Sequence, residues 1–280
     1  EGGDGRHTEN NQRPNVVWIL LDTLRSDHLG AYGYERDTSP NIDRLAERGV
    51  LFERHFSQGP NTLLSVPTYF SGKYFPVFLQ DEFHLDVWFL KEKPEDEILA
   101  SELFSQNGYA TGMFSSSPWY SAASRMGSSF DYFSSLASPD LVTTGDFRAQ
   151  NPGVFEWIEE NKERPFFAYI HTLDAHAPRG ELNTRDTWLD KDFPSGRESE
   201  LRLWTGAPFS GDDQEYLQGL YDGGVAYADY TVGEILGHLD ALGVLDNTVV
   251  IISSDHGELL GSDGTTLGHP SKGISDELFR

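Results

Sequence analysis

No cysteine occurs in the 280 residues, so disulfides, thiolate metal sites and cysteine nucleophiles are all excluded. Basic residues are scarce: 21 Lys and Arg stand against 45 Asp and Glu, a formal charge of −24. A field of that sign repels nucleic acid and anionic membranes, which argues against either as a partner. No apolar run approaches the roughly 20 residues that a bilayer span needs, so the chain shows no membrane segment. Residues 1–13 are polar and Gly-rich and carry no signal peptide. The expected compartment is therefore the cytoplasm, although a processed N-terminus would look the same and leaves export open. Internal repeats and low-complexity tracts are also missing.

What is present suffices for a large core. With 38% hydrophobic and 13% aromatic residues, the chain can bury one sizeable α/β domain, expected over 15–280 after a polar tail at 1–14. The acidic excess suits a halophilic protein, since molar salt screens the self-repulsion that such a charge creates. An anionic substrate can still bind if a metal and a few cations make the site locally positive.

The order of elements reads as an alternation. Residues 15–21 (NVVWILL) form a continuous apolar run ending at Asp22, the pattern of a buried parallel strand. Ser39 and Pro40 followed by residues 41–48 and Gly49 give a helix with an N-cap, a proline at its first position and a glycine stop. Residues 50–56 read as a short strand, 95–105 as a helix ended by Asn107-Gly108, and 109–114 as a strand. A helix is expected at 154–161 and a strand at 165–173 (PFFAYIHTL), which runs into Asp174. Residues 212–242 read as a long helix weakened at Gly223-Gly224, and 247–253 as a last strand before Asp255-His256. The polar segment 181–213 is expected to cross over the edge of the sheet that carries the site. Strands alternating with helices predict an α/β fold, a mostly parallel central sheet sandwiched by helices.

In such sheets ligands bind beyond the carboxyl ends of the strands. Three predicted strands end in Asp22, in His171 through His176, and in Asp255-His256. Taken singly, each is explained by a turn, a cap or a packed imidazole. Together they form a cluster that caps alone do not require, and carboxylates with imidazoles at one edge suit a hard divalent ion. Arg25 and Asp27 read as an ion pair bracing the loop after the first strand, and Trp18, Phe166 and Phe167 as core.

Three ordered motifs resemble the sulfatase family of the alkaline phosphatase superfamily. Residues 15–76 look like its N-terminal signature, from NVVWILLDTLRSDHLGAYGY through TSPNIDRLAERGVLFERHFSQ to SGKYFP. Residues 169–179 (YIHTLDAHAPR) are similar to its middle histidine motif. Residues 247–280 (NTVVIISSDHGELLGSDGTTLGHPSKGISDELFR) look like its C-terminal metal motif. The resemblance implies metal ligation by Asp22, Asp255 and His256, with Thr23 standing where many members carry a second aspartate. It implies a substrate-oxyanion or leaving-group role for His176 and cationic substrate contacts for His269 and Lys272. It also implies a smaller C-terminal domain, which these 280 residues are expected to lack.

The nucleophile position departs from the family pattern. Formylglycine sulfatases carry Cys or Ser in Cys/Ser-x-Pro-Ser-Arg, and counting back from Gly72 brings Thr62 to that place. Threonine cannot give formylglycine, so the segment resembles members with a threonine nucleophile, among them phosphodiesterases, phosphonate hydrolases and phosphoglycerol or phosphoethanolamine transferases. Ser65 is the rival hydroxyl, as nucleophile or substrate contact, and Thr62 as a plain helix cap is the third reading. The resemblance implies a metal-dependent hydrolase of sulfate or phosphate esters, with phosphate monoesters and diesters favoured. The expected substrate is a small molecule or a glycan or lipid ester. One divalent ion is expected, Ca²⁺, Mg²⁺ or Mn²⁺ ahead of Zn²⁺. A transferase and a catalytically inactive binding protein on the same fold are the alternatives.

Overall fold

The computed structural model describes residues 13–74, 98–135, 147–177, 188, 211–261, 267–269 and 276–279. Strand β1 (Asn15–Leu21) follows the apolar run and leads into α1 (Pro40–Arg48) and α2 (Thr62–Ser71). Then come α3 (Ala100–Gln106), β2 (Ala110–Ser115), β3 (Tyr132–Ser135), α4 (Phe147–Asn161) and β4 (Phe166–Thr172). The long helix α5 (Gly211–Ala241) precedes β5 (Thr248–Ser253), the two-residue strands β6 (Leu259–Leu260) and β7 (Leu267–Gly268), and α6 (Asp276–Phe279). The main sheet runs β3-β2-β4-β1-β5, and every pairing in it is parallel.

Parallel strands need helical crossovers, and these cover both faces. Alternate residues of β1 enter two separate cores. Val17, Ile19 and Leu21 pack with Ile170 of β4, Val154 and Ile158 of α4, and Val225, Val232 and Ile235 of α5. Leu20 faces the other way, with Phe167 and Tyr169 of β4, Met113 of β2, and Val66 and Phe70 of α2. Burying each such side chain stabilises the fold by about 1.5–3 kcal/mol, so the two cores hold β1 and β4 firmly at the centre. Their carboxyl ends are consequently anchored from both faces of the sheet.

Helix α1 shows how long-range contacts complete a local signal. Ser39 stands at the N-cap, yet its hydroxyl donates to Asp43 at 2.9 Å rather than capping the helix. The free N–H groups of Asn41 and Ile42 donate instead to the Asp229 carboxylate on α5, at 2.9 and 2.8 Å. A buried carboxylate at a helix N-terminus satisfies orphan donors and complements the dipole.

Two expectations require correction, and one strand was not read from the sequence. Residues 50–56 form no strand, because no neighbour among the described residues takes their ladder bonds; Val50 is 81% exposed and Phe52 67%. The Phe52 carbonyl accepts from the Tyr32 hydroxyl instead. Helix α5 runs unbroken through Gly223-Gly224, since Tyr221, Val225 and Ala228 on the same helix are buried against the sheet and outweigh the glycine cost. Strand β3, a short polar edge strand beside β2, was not legible as one. The expected edge crossing at 181–213 lies almost wholly outside the described residues.

Candidate active site at the carboxyl edge of the sheet

Asp22 follows β1 directly, and its N–H continues the ladder to the Thr172 carbonyl at 3.0 Å. Asp255 and His256 follow β5, whose register against β1 sets them beside Asp22. Thr62 opens α2, where Asn61 is the N-cap and its side chain accepts the Leu64 N–H at 3.1 Å. The cap thus belongs to Asn61, leaving the Thr62 hydroxyl for other work. That hydroxyl lies 3.3 Å from Asp22 Oδ2 and 3.4 Å from His256 Nε2. Thr62, Asp22, Asp255 and His256 are all buried.

Each acidic or imidazole group is tethered on one side and open on the other. Asp255 Oδ1 accepts the N–H groups of His256 at 3.0 Å and Thr23 at 3.4 Å. His256 Nδ1 lies 2.8 Å from the Gly257 carbonyl, so it carries the proton and Nε2 presents its lone pair. Asp22 Oδ2 meets His171 Nε2 at 2.9 Å. Among the described residues, Asp22 Oδ1 and Asp255 Oδ2 have no hydrogen-bond partner although both are buried. His256 Nε2 lies 3.6 Å from the first and 3.5 Å from the second.

These spacings exceed the roughly 2.7–3.0 Å of a good hydrogen bond. They match donors about 3.4 Å apart around a shared ion, either tetrahedral with bonds of about 2.1 Å or octahedral with bonds of about 2.4 Å. Two buried carboxylate oxygens left bare and converging on an imidazole lone pair are costly without a cation. The donor set therefore fits a divalent metal. Asp22, His171 and Asp255 also each offer a ligand atom, all within 4.8 Å of one another. Burial alone would raise the Asp22 pKa, but the His171 hydrogen bond and the neighbouring imidazoles draw it below the usual carboxylate range.

The surrounding loops are braced by further side chains, some of which the sequence did not single out. Thr23 adopts φ 61°, a left-handed conformation that costs a β-branched residue strain. The Tyr221 hydroxyl from α5 donates to the Thr23 carbonyl at 2.6 Å and accepts the Arg25 N–H at 2.8 Å. The Tyr69 hydroxyl on α2 donates to the Ser254 carbonyl at 3.1 Å. Arg25 grips both Asp27 oxygens, at 2.9 and 2.7 Å, and the Glu258 carbonyl at 2.9 Å, as expected of a loop brace. Gly257 admits no side chain, since a Cβ there would sit 1.7 Å from the Glu277 carbonyl. Tyr221 and Tyr69 sit inside largely buried helices, where an aromatic reads as core, and carry no sequence signal. His171 had one: a polar residue inside the apolar strand PFFAYIHTL.

A row of imidazoles leads outward from the metal-fitting cluster. The His256 and His269 ring centroids are 4.5 Å apart, and those of His269 and His176 5.0 Å. His269 Nδ1 lies 3.3 Å from the buried carboxylate of Glu258, a residue not singled out from sequence. Burial would lower the His269 pKa, but the hydrogen bond and charge of Glu258, with Asp22 and Asp255 beyond, raise it to about 9. His269 is thus a cation at neutral pH. Ser65 is turned away: its hydroxyl donates to the Gly59 carbonyl at 2.8 Å. Lys272 lies outside the described residues.

The fold and site define a parallel α/β domain with a buried Asp-His cluster and a hydroxyl at a helix N-terminus, all on one sheet edge. The chain belongs to the sulfatase family, whose sequence model, Sulfatase, matches residues 14–279. Curated relatives include an ulvan-active sulfatase of Formosa agariphila, 28% identical over 90% of this chain and 52% of that protein. Human N-acetylgalactosamine-6-sulfatase is 24% identical over 96% of this chain and 53% of its own length. The chain therefore spans about half the length of these relatives. Among solved structures, the zinc complex of the periplasmic domain of EptC from Escherichia coli superposes with TM-score 0.71, at 16% identity, over 96% of this chain and 71% of that one. The phosphonate monoester hydrolase of Agrobacterium radiobacter gives 0.67 at 21% identity, over 95% and 66%. Among the described residues no helix is long and apolar enough to cross a membrane.

Proposed function

We propose that this chain is the catalytic domain of a metal-dependent ester hydrolase with Thr62 as nucleophile, acting on phosphate monoesters or diesters in preference to sulfate esters. The observation that carries the reading is the Thr62 hydroxyl, within 3.3–3.4 Å of both Asp22 and His256 at the N-terminus of α2. Asp22, Asp255 and His256 would hold one divalent ion, Ca²⁺, Mg²⁺ or Mn²⁺ ahead of Zn²⁺, since two carboxylates accompany a single imidazole. Bound there, the ion supplies positive charge that favours the alkoxide of a hydroxyl facing it.

The remaining chemistry belongs to side chains. Thr62 gives its hydroxyl proton to solvent and its Oγ attacks phosphorus in line; the Oγ–P bond forms and the bond from phosphorus to the leaving oxygen breaks. The N–H groups opening α2 face the ester oxygens. His269, held protonated by Glu258, neutralises charge or gives its proton to the leaving alcohol, with His176 beside it. Lys272 is assigned the same cationic role. Water then attacks phosphorus, releases phosphate and restores the Thr62 hydroxyl. A threonine sulfate lacks the exit that an aldehyde hydrate offers, so a sulfate ester would trap the enzyme on Thr62.

The substrate is proposed as a small-molecule, glycan or lipid ester, met in a high-salt cytoplasm. The test compares kcat/KM for matched aryl phosphate, aryl phosphodiester and aryl sulfate substrates in wild type and Thr62→Ala. Phosphate esters should turn over faster, and Thr62→Ala should lose at least about 10³-fold in kcat/KM. Faster sulfate turnover, or full activity in Thr62→Ala, overturns the assignment. Adding glycerol distinguishes hydrolysis from transfer by the appearance of a phosphoglycerol product. Metal binding without turnover of any ester would mark a binding protein.

A further inference from the structure

We infer that His171 is a positioning residue for Asp22 and does not itself bind the metal. The inference rests on the reading of a metal site above but concerns a side chain to which that reading gives no role. By proximity His171 would pass for a ligand, because its ring falls within the 4.8 Å cluster with Asp22 and Asp255. Three features of its surroundings decide otherwise.

The first is the other ring nitrogen. A histidine that binds a metal through one nitrogen almost always donates the other N–H to a carbonyl, carboxylate or water, which fixes the tautomer. His256 meets this condition through Nδ1 and the Gly257 carbonyl, 2.8 Å away. His171 does not: its Nδ1 is buried and has no partner among the described residues. Ligation through Nε2 would place the proton on Nδ1 and leave a buried donor orphaned. With the proton on Nε2, only a weaker acceptor goes unmet, and Nε2–H donates to Asp22.

The second is distance. His171 Nε2 and Asp22 Oδ2 are 2.9 Å apart, the length of a charge-assisted hydrogen bond. The contacts of His256 Nε2 with Asp22 and Asp255, at 3.6 and 3.5 Å, have the longer spacing of atoms that share an ion. The third is which oxygen is engaged. His171 takes Oδ2 and leaves Oδ1, the oxygen that faces His256, bare. The hydrogen bond therefore turns Asp22 so that one defined oxygen meets the cation.

The imidazole is held for this task. It is completely buried in β4, with the Tyr120 ring centroid 5.6 Å away and that of Tyr169 6.2 Å away, both tilted against it. In this chain Thr23 follows Asp22, so no neighbouring carboxylate shares the load. Orientation of the single aspartate at the end of β1 then depends on His171.

The experiment uses the full 280-residue chain, stripped of metal and reloaded with Zn²⁺ or Mn²⁺. X-ray absorption counts coordinated imidazoles in wild type and in His171→Gln, whose amide N–H can replace Nε2–H. The count should be identical in the two proteins; a count lower by one in His171→Gln overturns the inference. By titration, His171→Gln should bind each ion within about 3-fold of wild type, while His171→Leu, which cannot donate, should bind about 10–100-fold more weakly. Equal losses in both variants also overturn it. Nitrogen NMR of the metal-free wild type gives a check that needs no variant to fold: His171 should carry its proton on Nε2, and a proton on Nδ1 refutes the assignment. If wild type binds neither ion, the metal-hydrolase reading falls, and this inference falls with it. Binding with His171 counted among the ligands removes the inference alone.

Discussion

Replacing Tyr221 by phenylalanine removes one oxygen atom and should loosen the loop that presents Asp22. That hydroxyl donates to the Thr23 carbonyl at 2.6 Å and accepts the Arg25 N–H at 2.8 Å, and Thr23 and Arg25 are both buried. Each backbone group left unmet in a buried place costs about 1–3 kcal/mol. Relaxation of the loop recovers part of this, so Tyr221→Phe should lose about 2–4 kcal/mol of unfolding free energy. Part of the hydroxyl's work is to hold Thr23 at φ 61°, where a residue with a Cβ carries about 1–2 kcal/mol of strain. Thr23→Gly releases that strain while giving up about 1 kcal/mol of buried methyl and about 1 kcal/mol of chain entropy. The single variant Thr23→Gly should therefore fall within about 1 kcal/mol of wild type, although buried Thr→Gly changes usually cost more. Combined with Tyr221→Phe, it should reduce the cost of losing the hydroxyl by about 1 kcal/mol, a positive coupling in a double-mutant cycle. Urea unfolding of the four metal-free proteins, with a common m-value, reads these differences. A Tyr221→Phe cost below about 0.5 kcal/mol, or strictly additive variants, would refute the clamp.

Asp229→Ala strips the carboxylate that accepts the Asn41 and Ile42 N–H groups; it should cost about 2–3 kcal/mol and shift the thermal midpoint down by several degrees, whereas a neutral effect would show that α1 caps itself. The His269 pKa is raised from 6.5 to about 9, so its pairing with Glu258 stabilises the folded state fully below about pH 6.5 and is lost as pH rises through about 9. Metal-free wild type should lose more stability between pH 7 and pH 10 than Glu258→Gln does, and parallel curves for the two proteins would contradict the pairing. With 45 acidic against 21 basic residues, the thermal midpoint should rise in molar KCl as repulsion is screened, and an equal or lower midpoint would count against adaptation to high salt.

Much of the site was legible because parallel sheets obey a simple rule. Apolar runs mark the buried strands, and the polar residues that end them must gather at one edge, whatever the route between. That rule singled out Asp22, Asp255 and His256 as a group at one edge, whereas Thr62 came from resemblance to the family's nucleophile segment, counted back from Gly72. Residues 50–56 misled because alternating apolar residues describe a strand only when another strand supplies the ladder, and none of the described strands does. Glu258 escaped notice because its value lies in holding His269, eleven residues onward, and not in its own position.

The sequence by itself determined the parallel α/β class, the order of nearly all the strands and helices, the absence of thiol chemistry and the residue types at the sheet edge. Those follow from periodicity and composition, which are local properties. Only the tertiary structure decided the work of each side chain. The proton of His256 is assigned by the Gly257 carbonyl, the hydroxyl of Ser65 is taken by that of Gly59, and Thr62 is freed because Asn61 caps α2. Tyr221 reaches Thr23 across 198 positions, and His171 reaches Asp22 across 149. Hydrogen bonds act over about 3 Å, so which groups pair is set by the crossovers that bring distant segments together, and no local pattern encodes it.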